Sequence, residues 1–357
     1  MNLNPTNPPA EDPARRDHIL KGKTVQELSE LFRGLGEPAY RGKQAFGRIN
    51  RLLAATLDDF TEFPISLRNR LKELNAFPSL KALCASADPD GTEKSLFETT
   101  NRKGEPIRIE TVWLVSEERR TICVSSQAGC SLNCSFCATA TIPFAGNLNT
   151  WQILDQIYEL IRRHNERPTN IVFMGMGEPF YNYESVLRAA HTLNDPEGIN
   201  LSARSITIST AGVVPNIRRF THEGHPFNLA ISLNHPDAAI RGTIMDVEGR
   251  HPLSELLDAV RDHVRASGRP VTFEYVCIPG LNMAPNDAEK LIRIARRIHC
   301  KINLIPLNTT FDGRRPPSER EMLEFQNHLK GAGILAFNRG SAGRGINGAC
   351  GMLALQG

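Results

Sequence analysis

The spacing of apolar and polar positions changes character twice along the chain. In the stretches 24–35, 41–55 and 65–74, apolar residues recur at intervals of three and four: Val25, Leu28 and Phe32 in the first, Phe46, Ile49, Leu52 and Leu53 in the second. That period lays one apolar stripe along each of three helices, with Thr24 placed to cap the first. Residues 17–80 are therefore expected to form a small helical domain able to fold alone, preceded by a disordered tail over 1–16, which is rich in Pro, Asn and charge. Between 94 and 126 the pattern turns to alternation and β-branching, with Asn101-Arg102-Lys103-Gly104 as a turn, and predicts a short β extension over 81–120. Beyond it, short apolar runs alternate with helical patterns. Strands are expected at 121–125, 170–175, 205–209, 227–232, 271–276 and 301–305. Helices are expected at 150–164, 183–194, 213–223, 252–266 and 286–299, then a last helix near 318–330 and a strand at 334–337. This repetition predicts an α/β fold, a parallel sheet with helices outside. Six units over 121–357 give a partial (β/α)6 barrel, open where the eight-unit barrel closes.

Composition narrows the picture modestly. A chain of 357 residues with 40% hydrophobic content suits one large domain with a smaller companion. A net charge of +3 creates no global field, so any nucleic-acid surface must be local. One local candidate is 41–51, where Arg41, Lys43, Arg48 and Arg51 occur without an acid and with Phe46 between them. It reads either as a solvated helix face or as a phosphate-contacting surface for RNA. Eight cysteines in a chain this long do not form a disulfide framework. With neither a signal-peptide pattern nor a membrane-spanning run, the expected location is the cytoplasm, with no membrane partner.

The chemistry concentrates in Cys130-Ser131-Leu132-Asn133-Cys134-Ser135-Phe136-Cys137. Three thiolates at C-x3-C-x2-C spacing can hold three irons of a [4Fe-4S] cube and leave the fourth open to a small molecule. The other reading is zinc, which needs a fourth ligand such as histidine. No histidine lies within thirteen residues on either side, which favours the cube. Phe136 would shield one face of it. Several expected strands also run into polar residues at their C-terminal ends: Glu178, Ser209 and Thr210, Ser232 and Asn234, and Asn308. In parallel α/β folds that edge binds ligands. Gly175-Met176-Gly177-Glu178-Pro179 adds glycines that let a ligand approach the backbone and a carboxylate that can hold an ammonium.

The cysteine motif resembles that of the radical S-adenosylmethionine (SAM) enzymes. More narrowly, Thr121-Ile122-Cys123-Val124-Ser125-Ser126-Gln127-Ala128-Gly129-Cys130, Gly175-Met176-Gly177-Glu178-Pro179, Lys301-Ile302-Asn303-Leu304-Ile305-Pro306 and Ala349-Cys350-Gly351 resemble the RlmN/Cfr family of RNA adenine methyltransferases. Leu35-Gly36-Glu37-Pro38 and Arg41-Gly42-Lys43-Gln44 resemble its N-terminal domain, so the similarity spans most of 20–355. The resemblance implies a radical SAM barrel and a [4Fe-4S] cluster on Cys130, Cys134 and Cys137. It implies SAM, two molecules per turnover, bound by Gly177, Glu178, Ser209, Ser232, Leu233, Asn234 and Asn308. It implies methylation at carbon 2 of an adenine in 23S rRNA and in tRNA, with a flavodoxin-type electron donor. That carbon is electron-poor and has no lone pair, so displacement on a sulfonium does not reach it and a radical route is needed. On this resemblance Cys350 carries the methyl group, a 5′-deoxyadenosyl radical takes a hydrogen from it, and Cys123 then attacks the Cys350 sulfur and releases the product as a disulfide forms. Glu110 matches the proton acceptor. Without the resemblance, Cys123 and Cys350 would read as core residues and Glu110 as an exposed strand carboxylate.

Three positions depart from the family pattern. Gly146 stands where a basic residue is usual, Asn234 where His is usual, and Gly345 where Asp is usual. The amide of Asn234 can still hydrogen-bond, whereas the changes at Gly146 and Gly345 bear on substrate placement and proton handling. The same machinery aimed at adenine carbon 8 or another RNA base stays open, as does a non-catalytic iron–sulfur protein that binds RNA.

Overall fold

The computed structural model describes residues 18–308, 313–340 and 342–355; the expected tail lies outside them. Helices α1 (Val25–Gly34), α2 (Arg41–Asn50) and α3 (Ile65–Glu73) follow the three apolar stripes. Thr24 caps α1 reciprocally: its hydroxyl accepts the Glu27 amide at 3.2 Å, and the Glu27 carboxylate accepts the Thr24 amide at 2.8 Å. Helix α2 ends at Asn50, short of the expected 55, and the chain then turns through Leu53 in the left-handed region (φ 56°).

These helices do not close a core among themselves. Phe32, Phe46 and Ile49 belong to the same apolar cluster as Leu154 and Tyr158, on α4 (Thr150–His164), and Leu193, on α5 (Tyr183–Asn194). Polar ties cross the same seam. The buried Lys21 ammonium donates to Asp155 at 2.6 Å, and the Tyr158 hydroxyl to Asn50 at 2.5 Å. The helical segment thus shares one continuous core with the barrel. Its basic stretch also meets acids that the local sequence lacks. Arg48 pairs with Glu62 at 2.5 Å, Lys43 with Glu197 at 3.4 Å, and Arg41 donates to the Glu62 carbonyl at 2.7 Å.

Ten strands form one sheet. β1 (Lys81–Ala87), β2 (Glu93–Thr100), β3 (Pro106–Ser116) and β4 (Arg119–Cys123) are antiparallel neighbours. β1 lies inside the β extension expected over 81–120, although Lys81-Ala82-Leu83-Cys84-Ala85-Ser86-Ala87 shows no alternation; it is an edge strand with an irregularity between Ala82 and Cys84. β4 is the switch, antiparallel to β3 and parallel to β7 (Asn170–Phe173). The parallel part continues through β8 (Ile206–Thr210), β9 (Asn228–Ser232), β10 (Val271–Cys277), β11 (Cys300–Pro306) and β12 (Ala336–Asn338). β1 and β12 are the two unpaired edges, so the barrel stays open, as six units require. A two-residue ladder, β5 (Gln127–Ala128) with β6 (Gly146–Asn147), closes the base of the cysteine loop.

The remaining helices are α6 (Val214–His222), α7 (Ala238–Ile244), α8 (Leu253–Ser267), α9 (Pro285–Ala295) and α10 (Glu319–Gly331). α9 ends four residues before the expected 299. α7 was not expected: at seven residues it is too short to show a period, and Asp237 caps it through the Ala239 amide.

Candidate functional site

The parallel strands aim their C-terminal ends at the cysteine loop. One cavity there is lined by Cys130, Cys134 and Cys137 together with Gly177, Glu178, Ser209, Ser232, Asn234 and Asn308. These are residues from the loop after β4 and from the ends of β7, β8, β9 and β11. Phe136 also lines it, packed in an apolar patch with Leu132, Ala211, Met245 and Val247, as a shielding role requires. Burial pushes the Cys130 thiol up to about 12 and raises those of Cys134 and Cys137. Bare thiolates are thus disfavoured in this site, and bound iron would stabilise them. A cube takes one thiolate at each of three corners instead of three on one atom. Among the described residues no three His, Cys, Asp or Glu side chains converge as ligands of a single ion. The donor set fits the cluster.

Glu178 is buried, and its carboxylate accepts the amides of Ala211 at 2.7 Å and Phe180 at 2.9 Å. Burial pushes its carboxyl up to about 7, opposed by those amides. A ligand ammonium would supply the counter-charge, so the residue fits the amino group of SAM. The glycines before it line the same cavity and also serve packing. A Cβ on Gly175 would strike Ser125, and one on Gly177 (φ 98°) would strike the side chain of Gln127. They let this turn lie against the chain leaving β4, where Gln127 accepts the Glu178 amide at 2.8 Å. The close approach is to protein backbone and side chain, and it aims Glu178.

Leu233 and Asn234 differ in what they present to the cavity. Leu233 has its side chain fully buried in the main core and does not line the cavity. Asn234 lines it but is held structurally: it adopts φ 56°, and its side-chain oxygen accepts the Val276 amide at 2.9 Å. Asn308 is engaged by the C-terminal loop, donating to the Cys350 carbonyl at 3.1 Å and accepting from Arg344 at 3.0 Å.

A second cavity of about 680 Å³ fills the barrel below the first. Cys123 and Cys350 both line it, and Cys350, with Met174, Glu274, Ile305 and Asn308, also lines the first. Cys350 therefore stands where the two spaces meet. The Cys350 side chain is exposed to these spaces; partial removal from bulk solvent still pushes its thiol up to about 11, while the Arg339 guanidinium pulls it down, and Cys123 is pushed up to about 12 by burial and by Cys350, again opposed by Arg339. Arg339 lines the lower cavity and lies 4.0 Å from the buried carboxylate of Glu274. Nothing in the sequence reading picked out Arg339 or Glu274. A glutamate in the middle of the apolar run Val271–Cys277 was the available signal.

Glu110 is not an exposed strand carboxylate. It is fully buried, 2.9 Å from the Lys94 ammonium, and accepts the Leu355 amide at 3.1 Å. It lies two residues along β3 from Val112, the partner of Cys123 across the ladder. It lines neither cavity. The departures are accommodated locally: Gly146 pairs with Ala128 in the small ladder, and the Gly345 amide donates to Asp88 at 3.0 Å.

Residues 124–295 match the model of the radical SAM superfamily, a stretch that contains the three cysteines. A probable dual-specificity RNA methyltransferase RlmN from Leptospira biflexa is 49% identical over 95% of this chain and 96% of its own. The dual-specificity RNA methyltransferase RlmN of Anaeromyxobacter dehalogenans is 39% identical over 95% and 92%. The crystal structure of a radical SAM methyltransferase from Sphaerobacter thermophilus superposes with a TM-score of 0.89 at 39% identity, covering 94% of this chain and 98% of that one. With three cysteines in one loop, polar strand ends facing them across one cavity and relatives of this identity over nearly the whole chain, the chain belongs to the RlmN family of radical SAM methyltransferases.

Proposed function

We propose that this protein methylates carbon 2 of an adenine in 23S rRNA and in tRNA, carrying the methyl group on Cys350 and resolving the product with Cys123. The observation that carries the reading is the position of Cys350, which lines both the cavity of Cys130, Cys134 and Cys137 and the larger space that contains Cys123. A single sulfur that faces SAM on one side and the substrate on the other is what a relay of one carbon requires. The names of the relatives, which specify RNA, support the substrate class.

When bound, the cluster and SAM supply the methyl group and the one-electron chemistry that an unactivated ring carbon needs. The chain's own residues do the rest. The Cys350 sulfur accepts the methyl group as a thiolate, a form the Arg339 guanidinium favours. Glu178 orients SAM through its amino group. Arg119, Arg204 and Lys301 line the lower cavity, where their charge attracts a phosphate-bearing substrate. Cys123 gives up its thiol proton and attacks the Cys350 sulfur; the S–S bond forms, and the electron pair of the broken S–C bond passes to the product carbon, which takes up a proton to become the methyl group. Glu110, the expected acceptor of the proton lost from the ring, is buried against Lys94 and lines neither cavity, so that proton leaves by way of the lower cavity. A flavodoxin-type protein is the electron donor in this scheme.

The test is anaerobic incubation of reconstituted protein with SAM, reductant and either 23S rRNA or tRNA, followed by nuclease digestion and mass spectrometry. The expected product is 2-methyladenosine, absent with Cys350→Ala. Finding 8-methyladenosine would refute the carbon-2 assignment, and methylation that survives Cys350→Ala would refute the carrier.

A further inference from the structure

The loop that brings Cys350 to its junction is anchored from outside the parallel barrel. The Gly343 amide donates to Asp90 at 3.2 Å, and the Gly345 amide donates to Asp88 at 3.0 Å. Both acids belong to the turn joining β1 and β2. Gly343 has φ 72°, and a Cβ there would run into the methyl group of Thr92, so the loop lies flat against this turn. The turn is itself braced. Asp90 accepts the Thr92 amide at 2.8 Å; although burial raises its carboxyl, the bonds from Thr92 and Gly343 outweigh that and hold it below the ordinary range.

On its inner side the loop is tied to the active site. Arg344 donates to Asn308, and Asn308 donates to the Cys350 carbonyl. Just past the cysteine, the Gly351 carbonyl accepts the Ala138 amide at 2.7 Å, one residue from Cys137. Five glycines fall between 340 and 351. A segment this rich in glycine loses much conformational entropy on ordering, so its geometry depends on its anchors. Bonds from backbone amides to carboxylates are among the stronger anchors available.

We propose that Asp88 and Asp90 are positioning residues for Cys350: by holding the amides of Gly345 and Gly343, they fix where the thiol stands between the two cavities. This rests on the carrier role given to Cys350 above. It also gives the β extension a part in the reaction, because the strands β1 and β2 present the turn that grips the loop.

The test uses the full cluster-loaded chain without RNA. Asp88→Ala/Asp90→Ala is compared with Asp88→Asn/Asp90→Asn, whose carboxamide oxygens can still accept the same amides. Two readouts are needed: hydrogen exchange over 343–350, and the alkylation rates of Cys350 and Cys123 by iodoacetamide. In the alanine pair, exchange over 343–350 rises at least about tenfold and alkylation of Cys350, which is already exposed in the anchored loop, departs from the wild-type rate, while Cys123 is unchanged. Methyl transfer from SAM to Cys350, followed by intact mass, shows a lower kcat at unchanged KM for SAM. The asparagine pair restores most of the protection. Gly343→Ala, which disturbs the contact from the loop's side, gives the same phenotype and serves if the alanine pair loses its cluster. Exchange and Cys350 alkylation at wild-type rates, in a variant with full cluster content, would overturn the proposal. Failure of the wild-type protein to methylate RNA would defeat the functional reading instead, and the exchange and alkylation data, which need no RNA, would still decide the anchoring.

Discussion

Arg241→Met removes a guanidinium that is fully buried behind the SAM-facing strand ends. Its Nε donates to the Leu233 carbonyl at 3.1 Å, and one terminal nitrogen donates to the Ala211 carbonyl at 2.6 Å and the Ser232 carbonyl at 3.3 Å. The other meets Glu248 at 2.5 Å. These carbonyls belong to the exits of β8 and β9, so one side chain ties together the segments that present Ser209 and Ser232. Methionine keeps the apolar stem and supplies no donor. Breaking a buried ion pair from one side costs about 3–5 kcal/mol, because the remaining charge stays buried. At about 2.1 cal/mol/K per residue, unfolding 357 residues carries an entropy of about 0.75 kcal/mol/K, so the melting temperature should fall by about 4–7 °C. Circular dichroism melts of cluster-free protein measure that fall. Calorimetric titration of cluster-loaded protein should show SAM affinity reduced by about tenfold or more, the equivalent of one lost hydrogen bond to a charged group. Arg241→Met/Glu248→Met, which leaves no orphaned charge, should recover part of the stability but not the affinity. A melting temperature within about 1 °C of wild type, with SAM affinity intact, would refute the assignment of Arg241 as the clamp of these strand ends.

Three further outcomes are expected. Gly177→Ala forces a Cβ into Gln127 at a positive φ, and should cost about 2–4 kcal/mol from overpacking and backbone strain and weaken SAM binding; denaturant titration and calorimetry check both. Glu178, raised by burial from 4.5 to about 7, binds a proton in the folded, ligand-free protein at pH values where the unfolded chain has released it. Stability should therefore fall as pH rises between those values, and Glu178→Gln should flatten that window in melts recorded across it. Lys21→Met leaves the Asp155 carboxylate buried without its nearest cation, and should destabilise the protein by about 3–5 kcal/mol and speed proteolysis near residues 78–81, where Lys21 also binds the Pro78 carbonyl. Cleavage at the wild-type rate would count against a role for that pair in seating the helical segment.

Periodicity placed most elements correctly because their apolar faces are long and regular. Helices α4 and α5 have the bounds read from the sequence, and each parallel strand lies within a few residues of its expected range. It is silent where an element carries no period of its own. β1 exists because β2 offers it an edge, and α7 because Asp237 and the buried Arg241 hold one short turn in place. The apolar stripes of the helical segment also join the cluster of α4 and α5, a contact that periodicity does not show. The basic residues of α2 looked unpaired since Glu62 and Glu197 are distant in sequence.

The sequence by itself determined the chemistry. C-x3-C-x2-C fixes three thiolates within one short loop, and the strand–helix alternation fixes an edge on which Glu178, Ser209 and Ser232 must emerge. Local spacing is enough for both, since a loop and a strand end are set by neighbouring residues. What only the tertiary structure decided is how distant residues share one space. Cys350 lies 227 positions from Cys123, and its place depends on Asp88, Asp90 and Asn308, none of which is near it in the chain. Gly175 and Gly177 are required by Ser125 and Gln127 across the sheet, and the charge on Glu110 is met by Lys94 on the neighbouring strand. Such pairings are fixed by packing and by the need to satisfy buried polar groups, and those conditions exist only once the chain has folded.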